Sequence, residues 1–222
     1  MPTLLHCSDF HGNKSWFSWL AEAAPNFGAT VLSGDLLDEF QPPVELAAQA
    51  RRATAFLLGF SHPIFVTSGN HDGALDLPSI ARANPFVRVD GFDGEHLGWR
   101  LVCTGWRATP VALPPSPDNL PVIVVSHQPP DDLAVAQDRR GDWGGYDVRA
   151  LAAILPAGSL VLSGHVHAPR NWHARVGHAT VVNPGVAPAA AKVPRHVVLD
   201  LQKRRARLVG GPAQDGKEVI TF

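Results

Sequence analysis

Sulfur is nearly absent from this sequence: its 222 residues include two cysteines and one methionine. Cys7 and Cys103 form no C-x-x-C pair and lie in apolar runs, so they read as small buried hydrophobes and not as a disulfide framework or a thiolate zinc site. An excess of charge of either sign is also missing. Nineteen basic and 20 acidic residues leave a net charge of −1, which offers no global footprint for nucleic acid or an anionic membrane. The short run "QKRRAR" near the C-terminus reads as a solvated strand end and turn. No apolar run reaches the roughly 20 residues that span a bilayer. The opening "MPTLLHCSDFHG" has no basic segment followed by a long apolar stretch, so the expected compartment is the cytoplasm.

What is present is enough apolar material for a substantial core, 45% hydrophobic against 18% charged. One domain spanning 1–222 is expected. β-type runs alternate with helical stretches: "TLLHCS", then "KSWFSWLAEAA", "TVLSGD", the alanine-rich "PVELAAQARRATAFLLGF" with proline near its start and Gly59 near its end, and "PIFVTSGN". That order implies parallel strands with right-handed crossovers. "FVRVDGF" and "LGWRLVCTGWR" read as hairpins, and "TPVALPPSPDNLP" as a surface loop. Then "VIVVSHQPP", a helix at "DVRALAAIL", "SLVLSGHVH", "ATVVNPG" and "HVVLDL" resume the pattern. The expectation is a layered α/β domain with two sheets.

The strand ends carry the chemistry. Five runs finish in "SDFHG", "SGDLLD", "SGNHD", "SHQPP" and "SGHVH", each a serine followed by Asp, Asn or His. The carboxyl ends of parallel strands share one edge, where ligand sites form, so Asp9, His11, Asp35, Asn70, His71, His127, His165 and His167 should converge. Period-two alternation would point His165 and His167 to one side of an extended backbone. Asp9 or Asp35 taken singly fits a helix cap equally well; five such strand ends in one order do not. Carboxylates, imidazoles and an amide oxygen without thiolate suit Mn²⁺, Fe, Ni²⁺ or Zn²⁺. The donors are too many for one ion and suit a pair sharing a carboxylate.

The ordered set D-x-H, G-D, G-N-H-D, a strand-end His and G-H-x-H resembles the calcineurin-like metallophosphoesterase superfamily across positions 9–167. The resemblance implies a two-sheet β-sandwich flanked by helices in αββα layers. It implies two transition-metal ions, with Mn²⁺ favoured and Fe, Zn²⁺ or Ni²⁺ as alternatives. Asp9, His11 and His167 would hold the first, Asn70, His127 and His165 the second, and Asp35 would bridge. His71 would act at the leaving-group oxygen as general acid or transition-state stabiliser. The expected reaction is attack of metal-activated hydroxide on a small phosphoester, a diester before a monoester, with nucleotide-derived diesters among the candidates.

Leu36, Leu37, Asp38, Thr67 and Ser68 stand where protein phosphatases of this superfamily carry arginines, which weakens that reading. "GNHD", "HQPP" and "GHVH" are closer to small bacterial phosphodiesterases, while the absence of an arginine in "LLDEFQPP" argues against cyclic AMP. A phosphomonoesterase and a non-catalytic scaffold of the same fold are the alternatives. Asp38 and Asp72 are either partners that orient imidazoles or surface carboxylates. His6 reads as a core histidine, His62, His96 and His196 as surface or packing residues, and "NPG" at 183–185 as a tight turn. Trp143, glycine-flanked in "GDWGGY", is suited to stack on a base or aryl group. His173 and His178 are further substrate-facing candidates. Edge strands near the C-terminus leave the oligomeric state open.

Overall fold

A computed structural model describes residues 2–106, 113, 120–210 and 219–222. Strand and helix alternate first: β1 (Thr3–Cys7), α1 (Lys14–Ala23), a 3-10 turn at Ala24–Asn26, β2 (Ala29–Ser33), α2 (Pro43–Gly59), β3 (Ile64–Thr67), α3 (Leu77–Ala83) and β4 (Val87–Arg88). There follow β5 (Asp93–His96), β6 (Trp99–Thr104), β7 (Val122–Ser126), α4 (Tyr146–Ala153), β8 (Leu160–Leu162), β9 (His173–Val176) and β10 (Ala179–Val182). The described chain closes with β11 (His196–Asp200), β12 (Arg205–Val209) and β13 (Val219–Thr221).

The strands form two mixed sheets, ordered β13-β12-β11-β1-β2-β3-β4 and β5-β6-β7-β8-β10-β9. β1 to β4 are parallel neighbours, as are β6, β7, β8 and β10. β11, β12 and β13 add antiparallel beside β1, and β5 and β9 are the antiparallel edges of the second sheet. The central strands are apolar on both faces because both faces are covered. Leu4, Val31 and Phe65 point between the sheets toward Leu101, Ile123, Val125 and Leu160. Their neighbours Leu5, Leu32, Ile64 and Val66 point outward to Trp16 and Leu20 of α1, Leu57 of α2 and Ile80 of α3. On the far side, Val122, Val124 and Val161 meet Leu151 and Ala152 of α4. The result is the expected αββα layering.

Helix starts follow local rules. Asn13 caps α1 by accepting from the N–H groups of Ser15 and Trp16, and α2 opens on Pro43, whose missing N–H costs nothing there. Several expectations need correction. "FVRVDGF" is no hairpin: β4 extends the first sheet parallel to β3, and the chain then crosses to the second sheet, where β5 pairs with β6. The short α3 was not foreseen, because its seven residues carry proline in the first turn after an Asp cap and hold too few turns to show a period. Most of "TPVALPPSPDNLP" lies outside the described residues. Cys7 and Cys103 are buried and free.

Candidate metal and phosphoester site

All eight strand-end residues meet at one edge of the sandwich. Four of them are within reach of one another through single donor atoms, Asp9, His11, Asp35 and His167; so are Asp35, His127 and His165. In the first group Nε2 of His11 lies 3.0 Å from Nε2 of His167, which is 3.4 Å from Oδ1 of Asp9. In the second, Oδ1 of Asn70 lies 3.2 Å from Nε2 of His127 and 3.0 Å from Nδ1 of His165. Asp35 stands between them, its Oδ2 3.2 Å from Nε2 of His127 and 3.8 Å from Nε2 of His11.

Backbone geometry, not strand alternation, delivers these side chains. Asp9, His11, Asp35 and His165 all have positive φ, at 57°, 45°, 52° and 68°. Non-glycine residues occupy that region rarely and at a cost, and such strain persists where surrounding structure enforces it. β8 ends at Leu162, so "SGHVH" is a turn in which Val166 N–H donates to the Gly164 carbonyl at 2.8 Å, and the period-two argument for His165 and His167 does not hold. The turn, with Val166 buried beneath it, sends the two imidazoles to different groups.

Close approach of strand ends explains two glycines. A Cβ at Gly34 would collide with the His127 ring, and one at Gly164 would collide with Ser8 and Asp9. Backbone bonds complete the weave: Asp9 N–H donates to the Gly34 carbonyl, His11 N–H to that of Asp35, and Gly164 N–H to that of His127. Asp9 accepts from the His165 N–H, and Asp35 Oδ1 from the His71 N–H at 3.0 Å.

Charge inside the cluster follows from burial and pairing. Burial alone would raise the Asp9 and Asp35 carboxyls, but the histidines bonded to them and the charge of His127 hold both below the usual range. For His127, burial favours the neutral ring, yet the hydrogen bond to Asp35 and the Asp9 charge push it up to about 9. His165 falls to about 4 through burial and the neighbouring His127 charge. Two rings are pinned by one backbone group each. Nδ1 of His127 faces the Ser33 carbonyl at 2.8 Å and so carries hydrogen, leaving Nε2 toward Asp35 and Asn70. Nδ1 of His71 accepts the Glu39 N–H at 3.1 Å, which puts the hydrogen on Nε2.

Asp72 is buried and orients no imidazole. Its two oxygens accept from the N–H groups of Leu37 and Gly69, tying the "GD" loop to the "GNHD" loop, and burial raises its carboxyl to about 6. Asp38 lies 4.0 Å from Nδ1 of His71 and accepts from the Phe40 N–H and the Gln41 amide, shaping the turn that presents Glu39. Asn183 is more than a turn residue. Its buried amide donates toward the carbonyls of Val135, Gly164 and Val166, while its Oδ1 accepts from Gly185. His6 is buried against Ser33 as expected. His173 packs on Trp172 in β9 and His178 sits exposed beside it; neither lines the cavity at the cluster.

That cavity, about 650 Å³, opens over Asp35, Asn70, His71, His165 and His167, and its outer wall is Phe40, Arg139, Arg140 and Trp143. The Phe40 ring stands edge-on to His71, with centroids 5.0 Å apart. Sequence reasoning found Trp143 but missed Phe40 and the adjacent arginines, although "DRRGDW" places three large side chains in one loop.

Sheet order, convergent strand ends and an oxygen-and-nitrogen donor cluster define a class of hydrolases that act at phosphorus. The family model described as calcineurin-like phosphoesterase matches residues 2–169, which takes in all eight clustered residues, and the chain belongs to that family. A search of curated protein sequences gives no match. Among solved structures, TT1561 of Thermus thermophilus superposes with a TM-score of 0.65 and 17% identity, over 94% of this chain and 98% of its own. YfcE, a phosphoesterase from E. coli, superposes with a TM-score of 0.51 and 15% identity over 99% and 98% of the two chains. These likenesses establish a common fold.

Among the described residues no helix is long and apolar enough to cross a membrane.

Proposed function

We propose that this chain, as one domain, is a phosphodiesterase with a dinuclear metal centre. Asp9, His11 and His167 would hold one ion, and Asn70, His127 and His165 the other, with Asp35 shared. The observation that carries this reading is the place of Asp35, whose carboxylate belongs to both donor groups. The donors fit cations: Nε2 of His127 is turned inward to Asp35, where a cation would replace its proton, Nδ1 of His165 meets an amide oxygen, and the clustered donors include no thiolate. A set of this kind favours Mn²⁺, with Fe, Zn²⁺ and Ni²⁺ as alternatives. Bound there, such ions supply Lewis acidity toward phosphoryl oxygens and lower the pKa of water.

The chain's own residues supply the rest. His71 presents Nε2–H toward the cavity and can donate to the departing oxygen, while the Glu39 N–H holds its ring in that tautomer. Asp35 orients the His71 backbone through its bond to the N–H. A diester is favoured because "GNHD", "HQPP" and "GHVH" are closer to small bacterial phosphodiesterases than to protein phosphatases. The test is hydrolysis of bis(p-nitrophenyl) phosphate and p-nitrophenyl phosphate by metal-stripped protein, with Mn²⁺, Fe²⁺, Ni²⁺, Zn²⁺ and Mg²⁺ restored separately. Metal-dependent release with diester preference is expected. Bound metal without release from either ester would favour the scaffold alternative.

A further inference from the structure

The 131–145 loop is a built surface facing the cluster. Asp138 Oδ1 accepts from the N–H groups of Arg140 and Gly141 and from Nε1 of Trp143, at 2.7, 3.1 and 3.1 Å. Asp142 accepts from Asp132 N–H, Gln137 Nε2 and Gly144 N–H. The loop is also tied to the turn after the cluster: Arg170 N–H donates to the Gln137 carbonyl and Asn171 N–H to that of Ala134. Carboxylates thus fix the backbone, and the loop's side chains at the cavity are Asp138, which holds the Trp143 indole N–H, the two guanidinium groups and the indole itself.

Arg139 and Arg140 are exposed and form no ion pair or side-chain hydrogen bond with any described residue. Neither bonds to any of the eight cluster residues, although both line the cavity that opens over them. Trp143, 46% exposed, and Phe40, 82% exposed, add two aromatic surfaces to the same cavity. Exposed aromatics at a concave site suit a flat ring, and unpaired adjacent arginines suit a phosphate with bidentate geometry.

Resting on the phosphodiesterase reading, we infer that the preferred substrate is a nucleotide diester bearing a second, terminal phosphate. Its base would stack on Trp143 or Phe40, and its terminal phosphate would lie on Arg139 and Arg140. Water adds across one P–O bond of the internal diester, so one product leaves with a hydroxyl and the other keeps the phosphate; the terminal phosphate is untouched.

The dinucleotides pApA and ApA share one scissile bond and differ only in that phosphate, so they make the test. With Mn²⁺-loaded protein, kcat/KM for pApA should exceed that for ApA by about tenfold or more. In R139A/R140A the ratio should fall toward one. Equal kcat/KM values in the native protein overturn the inference. So does an unchanged ratio in the double variant with both rates lowered, which would place the arginines on the scissile phosphate. Bis(p-nitrophenyl) phosphate, assayed alongside, tests the underlying reading separately. If nothing is cleaved, that reading fails and the substrate claim with it, and calorimetric titration of both dinucleotides into the same protein decides the arginine contact alone: tighter pApA supports a terminal-phosphate site and equal affinity overturns it.

Discussion

The Glu39 N–H donates to Nδ1 of His71 across 3.1 Å, while Nδ1 of His127 donates to the Ser33 carbonyl across 2.8 Å. One backbone group per ring assigns the two histidines opposite tasks. His71 turns an N–H toward the cavity, and His127 points Nε2 at Asp35, donating its proton there in the metal-free chain and yielding it to a cation. Replacing His71 by alanine should therefore lower kcat by about 10²–10⁴-fold while metal content stays near native. Metal analysis beside steady-state kinetics checks this, and unchanged turnover would remove His71 from the chemistry.

Gly164→Ala should damage the first donor group without replacing any donor. The added methyl meets Ser8 and the Asp9 carboxylate, both buried at the end of β1 with no free space to retreat into. A cost of roughly 1–3 kcal/mol is expected, read as a lower denaturant midpoint together with weaker metal binding. A fully native midpoint would show that the strand ends are less tightly apposed than described.

Asn183→Ala should destabilise by about 2–3 kcal/mol, because three carbonyls and the Gly185 N–H lose a buried partner at once. Urea unfolding measures it. A change below about 0.5 kcal/mol would show that water replaces the amide.

Much of this was legible in the sequence. Layering followed from apolar runs alternating with helical ones, and the cluster followed from polar residues repeated at strand ends. What stayed hidden depends on dihedral angles and long-range contact. The strand periodicity of "SGHVH" suggested an extended backbone, whereas the φ of 68° at His165 makes a turn. Asp72 has the composition of a surface carboxylate until the loops at Leu37 and Gly69 close on it. Arg139 and Arg140 went unread because nothing local in the sequence shows that their loop reaches a cavity over strand ends far away in the chain.

The metal-free protein should show a distinctive pH response. The His127 ring, ordinarily near 6.5, is raised to about 9 in the folded chain. A raised value means the folded state binds the proton more tightly, so this stabilisation is complete below about pH 6.5 and is lost as pH rises through 9. Thermal unfolding of stripped protein should move to lower temperature across that window. Metal competes with the same proton, so apparent metal affinity should climb over the same range. A flat profile for both quantities would place the proton elsewhere.

The shared carboxylate is tested most directly by counting ions. Calorimetric titration of stripped protein with Mn²⁺, confirmed by elemental analysis after dialysis, should give two ions per chain, and Asp35→Ala should hold neither firmly. Two tightly bound ions retained in Asp35→Ala would contradict a centre built around Asp35.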